Sequence, residues 1–356
     1  MLRQRLVTVV LVLLVALGVG VGAGSAQEEL VDVTQVGFLV IDLAPLFIGI
    51  QNGYFADEGL EMEFVEIDSG QLGVGAVVTG LADFVDLGVE DVVLLQQEGQ
   101  DVILVYSMVD NLTMDMVVRT EVLEEAGVSR ESPLEERYAA LEGLTFGITR
   151  PGAPTELYPR WFLTQAGLNP DTDATFVAVG SGAALLAALE TGQIDAYMLS
   201  APTPYAAQNA GFGQILIQNS AGDVPQFSDF AFESITVRRE FAEANPEVIE
   251  GYARAMDRAN QFLIENTEEA LQIIQENYFP DTDMETLRIS LEATIPAINP
   301  DGDLSEQALI NQLQVLIDLG LLEAMPDTSE GILWTNEYNP DTIDETALMA
   351  EATEAP

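Results

Sequence analysis

The chain has 356 residues, and its 12 basic residues, all arginine, stand against 59 aspartates and glutamates, which gives a formal charge of −47. The sequence contains no lysine, histidine or cysteine, which excludes Schiff-base catalysis, imidazole bases, thiol nucleophiles and disulfide bonds. So acidic a chain is also poorly suited to nucleic acid or anionic lipid, because both require clustered basic residues. No carboxylate pair stands out as an acid–base couple, and we therefore expect neither an enzyme nor a bound cofactor or metal.

The N-terminus has the pattern of an export signal. Arg3 and Arg5 precede an apolar stretch at 6–21, and the small residues at 23–26 suit a cleavage site, which predicts a signal peptide over 1–26. The apolar stretch is long for a signal, so an uncleaved membrane anchor remains an alternative. In either case we expect an exported protein, in the periplasm or on the outer face of the cytoplasmic membrane.

A first pattern of alternating strands and helices follows the signal. The run VGFLV (36–40) predicts a buried strand, and a loop beginning at Asp42 leads into a helix that ends near Gly53. MEFVEI (62–67) alternates like a second strand. A Ser-Gly loop, a helix, a Thr-Gly turn and a short strand come after it.

The same pattern recurs later in the chain, with four matched positions that are each 112 residues apart. LTFGI (144–148) and TFVAV (175–179) predict the two strands, and the Gly/Pro loop 150–155 precedes a helix that ends near Gly167. The matched pairs are Ser69 and Ser181, Thr79 and Thr191, Asp83 and Asp195, and Leu87 and Leu199. Strands that alternate with helices indicate parallel sheets, so two copies predict an α/β fold of two similar lobes.

The repeated Thr-Gly turns have a structural interpretation. Gly80 and Gly192 are placed to end a helix in the left-handed conformation. Asp83 and Asp195 are placed to cap or brace the turn into the next strand.

After Gly222 the pattern becomes helical. Asn245 and Pro246 predict the start of a long helix, and further helices are expected near 268–277, 284–294 and 305–319. Asp303 and Glu306 have the spacing of a capping box for the last of these helices, and Gly320 predicts its end. The segment 341–356 is acidic and poor in large apolar residues, which predicts a disordered tail.

Several segments together resemble one protein family. They are APLFIGIQNGYFADEGLEMEFVEIDSG (44–70), TGLADFVDLG (79–88), the stretch from LEGLTFGITRPGAP to AYMLSAP (141–202) and NPEVIEGYARAM (245–256). Each is weak singly, but as a set they resemble the extracytoplasmic solute-binding proteins of nitrate/sulfonate/taurine and thiamine-pyrimidine ABC importers. The resemblance covers about 33–322.

The resemblance implies a two-lobed clamshell, the type II periplasmic-binding-protein fold, that closes on a small solute and delivers it to a membrane permease. Each lobe would be a mostly parallel sheet flanked by helices. Lobe one would comprise 30–115 and 231–340, lobe two would comprise 116–230, and the chain would cross between them twice. We expect a monomer. An enzymatic branch of the superfamily needs lysine and histidine, which this chain lacks.

Ligands of open α/β sheets bind outside the carboxyl ends of the strands, so the predicted ligand contacts lie in the strand-to-helix loops. In lobe one these residues are Asp42, Leu43, Ser69, Gly70, Gln71 and Glu90. In lobe two they are Arg150, Gly152, Ala153, Thr155, Ser181, Ser200, Pro202 and Tyr205.

Arg150 is the most informative of these residues because it precedes the start of a helix. Unpaired backbone N–H groups there attract negative or electron-rich groups, and a guanidinium adds a fork of donors. The alternative is a surface ion pair of Arg150 with Glu142 or Glu156.

The acids of lobe one would repel a bare anion. We therefore expect an aminopyrimidine, a flavin-like ring or a zwitterion, with a sulfonate-, nitrate- or taurine-type anion as the alternative solute. Two other functions stay open, a ligand-sensing adaptor and a carboxylate-only enzyme on the same fold.

Overall fold

The computed structural model describes residues 30–67 and 70–340. The predicted signal peptide at 1–26, the predicted ligand contact Ser69 and the predicted tail at 341–356 lie outside these residues. The lobe boundaries inferred from the sequence stay predictions.

The described residues contain ten strands in two five-stranded sheets. The strands are β1 Val31–Gly37, β2 Leu60–Glu66, β3 Phe84–Asp86, β4 Val102–Ser107, β5 Asp115–Arg119, β6 Thr145–Ile148, β7 Thr175–Ala178, β8 Ala196–Leu199, β9 Gly213–Ile217 and β10 Ser234–Arg238. The first sheet has the order β2-β1-β3-β10-β4 and the second has the order β7-β6-β8-β5-β9.

The helices cover the sheets and form the C-terminal part of the described chain. They are α1 Ala44–Gln51, α2 Tyr54–Asp57, α3 Gly70–Thr79, α4 Val89–Gln97, α5 Thr120–Ala126, α6 Leu134–Ala139, α7 Pro154–Gln165, α8 Gly182–Glu190, α9 Thr203–Ala210, α10 Arg239–Ala244, α11 Pro246–Glu265, α12 Thr267–Asn277, α13 Met284–Thr294 and α14 Glu306–Asp318. Across 30–67 and 70–340, none is long and apolar enough to cross a membrane.

The two sheets have the same plan, which confirms the two-lobed α/β fold predicted from the repeat. In each sheet three parallel strands are followed by one antiparallel strand, β10 in the first and β5 in the second. Each antiparallel strand pairs on its other side with the edge strand, β4 or β9. β10 reaches the first sheet only after the chain has completed the second sheet.

The repeated Thr-Gly turns have the same conformation in both lobes. The Thr79 hydroxyl donates to the carbonyl of Gly75 at 2.6 Å, and the Thr191 hydroxyl donates to that of Ala187 at 2.8 Å. The following glycines, 80 and 192, have φ angles of 72° and 70°. Both helices thus end in the left-handed conformation that glycine adopts at low cost.

The repeated aspartates brace the strand beside each turn. Asp83 Oδ2 accepts from the backbone N–H of Thr34 at 3.1 Å, and Asp195 Oδ2 accepts from that of Thr145 at 3.0 Å. An arginine from the antiparallel strand lies against each turn, Arg238 in the first lobe and Arg119 in the second. The sequence pattern contained the aspartates but not the arginines, because β10 and β5 lie outside the repeated segment.

The expected strand at 36–40 is wrong in its bounds. β1 pairs with β2 along all seven residues from Val31 to Gly37, and the chain then enters a 3₁₀ turn at Ile41–Leu43. Polar residues within β1 kept this strand from being recognised by its hydrophobic pattern. Gln35 is fully buried, and its Oε1 accepts from the hydroxyl of Tyr252 at 2.9 Å.

The predicted cap of the last helix is also wrong. The side chain of Ser305, not Asp303, accepts from the N–H of Ala308 at the start of α14, at 3.0 Å. The carboxylate of Asp303 instead accepts from the amide of Asn339 at 2.7 Å. Gly320 ends the helix as expected, with a φ of 72°.

The C-terminal helices return to the first sheet and also reach the second. On α11, the ring of Tyr252 stacks on Phe84 with 4.4 Å between centroids. On α14, Asp318 accepts from the indole N–H of Trp161 on α7 at 3.0 Å. These helices thus pack against both lobes and fix the surroundings of the loops between them.

Candidate functional site

The loops at the carboxyl ends of the two sheets face each other. The N–H of Ile41, which follows β1 in the first sheet, donates to the carbonyl of Ala201, which follows β8 in the second, at 3.1 Å. Because α/β proteins bind ligands at these strand ends, the contact marks the candidate site.

Asp42 lies at the centre of this contact. It is completely buried, and its Oδ2 accepts from the hydroxyl of Thr113 at 2.6 Å. The Thr113 oxygen lies 3.2 Å from that of Ser200 in the second lobe. Burial raises the pKa of Asp42 to about 7, although the hydrogen bonds from Thr113 and Ser200 oppose that change. At neutral pH this carboxyl therefore exists in both protonation states.

Arg150 from the second lobe lies against the first turn of α3 in the first lobe. A Cβ built on Gly70 would be 3.2 Å from its Nη2, so Gly70 and the side chain of Arg150 approach closely. Within 30–67 and 70–340, no carboxylate oxygen lies within 4.0 Å of the Arg150 guanidinium, whose one hydrogen bond is a 3.5 Å contact with the carbonyl of Pro151.

The alternative that Arg150 pairs with Glu142 or Glu156 is wrong. Glu156 accepts from the N–H of Gly152 at 2.7 Å and from Arg160 at 2.8 Å. Among the described residues, the guanidinium of Arg150 thus forms no ion pair at the interface between the lobes.

Glu90 extends the acidic side of the site. Its side chain is 8% exposed, and its Oε2 accepts from the amide of Gln312 on α14 at 2.5 Å. Burial, with a smaller contribution from the charge of Asp91, raises the pKa of Glu90 to about 8. Burial also raises the pKa of Asp91, and Arg150 acts against this effect.

Two acids that the sequence reasoning missed complete this side. Asp86 ends β3 and is 1% exposed, neither of its carboxyl oxygens bonds a donor in the described residues, and its charge acts on the carboxyl of Glu233. Burial raises the pKa of Asp86 to about 6 and that of Glu233 well above its ordinary value. The position of Asp86 at the carboxyl end of a strand was a usable signal. The sequence contained no such signal for Glu233, because this residue precedes β10 and does not follow a strand.

Several residues of the second lobe that were predicted to contact the ligand instead form hydrogen bonds within their own loops. The side-chain oxygen of Thr155 accepts from the N–H of Thr149 at 3.0 Å, and that of Ser181 accepts from the N–H of Ala184 at 3.4 Å. Gly152 has a φ of 76°, and Ala153 is the buried N-cap of α7. These residues hold the β6–α7 and β7–α8 loops in place.

Other predicted contacts face the core. Leu43 is completely buried, and Pro202 is the buried residue that precedes α9. Tyr205 is 3% exposed, donates to Asp115 Oδ2 at 2.6 Å and accepts from Gln218 at 3.0 Å. The expectation that Tyr205 faces the cleft is therefore without support in this geometry. Gln71 is exposed at the start of α3.

The arrangement has two chemically distinct sides. Arg150 supplies donors, whereas Asp42, Asp86, Glu90 and Glu233 supply carboxyls whose pKa is raised by burial. A neutral carboxyl both donates and accepts. In the described segments, no group of three or more acidic residues has the geometry of a metal site.

Comparison with known proteins agrees with this geometry. The model of the NMT1-like family matches residues 26–275. The nitrate/nitrite binding protein NrtA of Nostoc sp. is 22% identical over 273 residues, which are 72% of this chain and 60% of NrtA. The chain thus spans less than two thirds of that relative.

Solved structures share the fold. The periplasmic nitrate-binding protein NrtA from Synechocystis PCC 6803 has a TM-score of 0.71 at 19% identity, over 92% of this chain and 90% of that one. The periplasmic aliphatic sulphonate binding protein SsuA from Escherichia coli has a TM-score of 0.65 at 18% identity, over 86% of this chain and 99% of that one. The family match covers most of the chain and confirms the resemblance seen in the sequence: the chain belongs to the NMT1-like family and has the two-lobed fold of the periplasmic binding proteins.

Proposed function

We propose that this chain is the exported solute-binding protein of an ABC importer, which captures a small organic solute between its lobes and delivers it to the permease. The observation that carries the proposal is that the strand-end loops of the two sheets meet, through Ile41 and Ala201 and through Gly70 and Arg150. Binding proteins for nitrate and aliphatic sulphonate that share this fold support it.

The chemistry of the site favours a solute with both donors and acceptors. Arg150 can bind a carbonyl, a ring nitrogen or an acidic group. A neutral carboxyl such as that of Glu90 can donate its O–H to a ring nitrogen while its carbonyl oxygen accepts from a neighbouring amino group. We therefore propose an aminopyrimidine of the thiamine-precursor type, or another heteroaromatic amine, as the solute.

A bare anion such as a sulfonate or nitrate is the second candidate. The guanidinium of Arg150, which has no carboxylate within 4.0 Å in the described residues, lies beside the first turn of α3. Helix N-termini and arginines both attract anions. The acids Asp42, Asp86 and Glu90 oppose this candidate whenever they ionise, because they would repel the anion.

A thermal-shift screen of the mature protein tests both candidates. The ligand classes are aminopyrimidines, flavins, alkanesulfonates, taurine, nitrate and amino acids. A ligand at 100 times its Kd adds about 2.7 kcal/mol to the free energy of unfolding, enough to raise the melting temperature visibly. A shift with an aminopyrimidine or flavin supports the proposed solute, and a shift with an anion alone replaces it by the second candidate.

Two variants separate the candidates further. Glu90→Leu should weaken an aminopyrimidine, because an aliphatic side chain can neither donate nor accept a hydrogen bond, and should strengthen or leave unchanged the binding of an anion. Glu98→Leu, which changes an exposed acid at the end of α4, is the matched control and should change neither. Turnover of a bound compound would contradict the transport role and favour an enzyme. A folded protein that responds to no class would contradict both proposed solutes.

A further inference from the structure

Gln312 is the polar member of the buried face of α14. The other buried residues of this helix are apolar: Ala308, Leu309, Leu313, Val315 and Leu316. Gln312 is 2% exposed. An amide buried on an apolar face costs free energy unless its N–H and C=O groups form hydrogen bonds. The presence of a glutamine at this position therefore requires a polar role.

The Gln312 amide uses its nitrogen within the first lobe. Its Nε2 donates to Glu90 Oε2 at 2.5 Å, and Glu90 lies in the first turn of α4, after the strand-end loop of β3. Because the nitrogen faces Glu90, the oxygen Oε1 points away from that carboxyl. Oε1 is buried and accepts from no donor among the described residues. A donor from a bound molecule would therefore satisfy this oxygen.

The amide lies where the two lobes meet. α14 packs against α4 of the first lobe and against α7 of the second. The hydroxyl of Tyr158 on α7 is near both Gln312 and Glu90. The ring of Tyr158 is 3% exposed and packs edge-to-face against Phe227 and Phe230. Such apolar surroundings strengthen a hydrogen bond that forms among them.

Other buried amides with an unpaired oxygen differ from Gln312 in what they bond. Asn219 and Asn260 each have a buried Oδ1 without a donor in the described segments. Their Nδ2 groups donate to the backbone carbonyls of Met114 and Asn299 and thus hold the backbone in place. Gln312 instead bonds a side chain that follows a strand-end loop, and α/β proteins bind their ligands at such loops.

We propose that Gln312 is a specificity-determining contact for an amino group of the solute, and that its Oε1 accepts one N–H of that group. Glu90, which orients the amide of Gln312, accepts the other N–H. A bare anion such as nitrate or an alkanesulfonate has no N–H to donate, so this contact favours a heteroaromatic amine over those solutes. The inference rests on the proposed function, because it requires that the solute binds between the lobes.

Two probes of the same shape test the contact. 4-Aminopyrimidine carries the amino group, and 4-methylpyrimidine has in its place a methyl group that cannot donate. In isothermal titration calorimetry we expect the wild type to bind the amino probe about tenfold more tightly than the methyl probe. Gln312→Met keeps the length of the side chain without its amide, and it should bind both probes equally. Comparing this preference between variants cancels the difference in basicity between the two rings.

Gln307→Met is the matched control, because Gln307 is an exposed glutamine on the same helix. It should keep the preference of the wild type. The inference is refuted by equal affinities of the two probes for the wild type, or by a full preference in Gln312→Met. Where Gln312→Met does not fold, Gln312→Asn, which withdraws the amide by one methylene group, should lose most of the preference, and a full preference there refutes the inference as well.

A third probe separates this inference from the proposed function. A wild type that binds propane-1-sulfonate but not 4-aminopyrimidine would refute the contact and leave the transport role intact. Turnover of 4-aminopyrimidine, with the preference lost in Gln312→Met, would refute the transport role and leave the contact intact. A folded wild type that binds none of the three probes would refute both the contact and the proposed solutes.

Discussion

Arg150 differs from the other arginines of the described chain in its partners. The other nine each form at least one ion pair: Arg119, Arg130, Arg137, Arg160, Arg238, Arg239, Arg254, Arg258 and Arg288. In a protein this rich in acids, an arginine that forms no ion pair with a described residue and lies next to the opposite lobe indicates a binding role. We therefore predict that Arg150→Ala weakens solute binding by about 10- to 100-fold, which corresponds to about 1.4–2.8 kcal/mol.

Isothermal titration calorimetry with the solute found by the thermal-shift screen measures this loss. The ligand-free variant should unfold within about 0.5 kcal/mol of the wild type, because no ion pair with a described residue is removed. Arg288→Ala, which removes a surface pair with Glu268, is the matched control and should bind solute normally. Equal affinity of Arg150→Ala and the wild type would remove Arg150 from the site.

Gly302 shows how one residue depends on its surroundings. Its φ is 73°, and a Cβ at this position would lie 2.0 Å from the ring of Tyr106, which is closer than any real contact. We predict that Gly302→Ala lowers the free energy of unfolding by more than about 2 kcal/mol. Gly331 has a similar φ of 86° with nothing within 4 Å of the Cβ position, so Gly331→Ala should cost only about 1 kcal/mol.

Chemical denaturation of the two alanine variants measures the difference between them. Equal losses of stability would show that backbone conformation alone decides the cost and that the ring of Tyr106 moves aside. A loss at Gly331 larger than that at Gly302 would contradict the packing explanation altogether.

At the scale of the element, the repeated turn can be tested twice in one molecule. Asp83 and Asp195 make the same bond to a backbone N–H, at 3.1 and 3.0 Å. We predict that Asp83→Ala and Asp195→Ala each lower the free energy of unfolding by about 1–3 kcal/mol, because each leaves a partly buried N–H without its acceptor. Asp195→Asn keeps an acceptor oxygen and should cost less. Urea denaturation checks all three variants, and an Asn variant as unstable as the Ala variant would contradict a role in hydrogen bonding.

The repeat predicted most of the helices and strands because its recurring residues stabilise the backbone within a few positions of themselves. A glycine that must end a helix and an aspartate that must reach the neighbouring strand are both set within a few residues, so they recur at Gly80, Gly192, Asp83 and Asp195. The predicted bounds of β1 were wrong because the strand includes a buried polar residue, Gln35. Its hydrogen-bond partner, Tyr252, lies more than 200 residues later in the chain.

The candidate site was predictable only where it consists of strand-end loops. Asp42, Glu90, Arg150 and Ser200 were predicted by that rule, and Thr113 both donates to Asp42 and lies 3.2 Å from the Ser200 hydroxyl. Glu233 was not found, because its contact with Asp86 depends on the order of strands in the sheet, which only the folded chain defines.

At the scale of the whole molecule, buried acids set the response of stability to pH. In the native state the pKa is about 6 for Asp86, about 7 for Asp42 and about 8 for Glu90, whereas their ordinary values are 3.8, 3.8 and 4.5. Above pH 4.5 the unfolded chain has released protons that the native protein still holds. Stability therefore falls as pH rises from about 4.5 to 8, by up to about 1.4 kcal/mol per pH unit for each group.

An opposite effect limits stability in acid. Burial tends to raise the pKa of Asp223. Hydrogen bonds from Arg130 and Arg137 nevertheless hold this pKa below its ordinary value. The unfolded chain then takes up a proton before the native protein does, so this contribution is lost as pH falls below about 4. The two effects together place the stability maximum near pH 4 to 5, on the acid side of the range usual for proteins.

We predict that the free energy of unfolding, measured by urea denaturation at 25 °C in 0.5 M NaCl, decreases steadily between pH 5 and 8. The salt reduces repulsion among the exposed acids, so the decrease that remains reports on the buried ones. Glu90→Gln should flatten the curve above pH 6, because one of the groups that holds a proton in the native state is gone, whereas Glu98→Gln on the surface should leave the slope unchanged. A free energy that stays constant or rises from pH 5 to 8 would mean that Asp42, Asp86 and Glu90 are already ionised in the folded protein, and the site would then carry fixed negative charges that select cationic solutes.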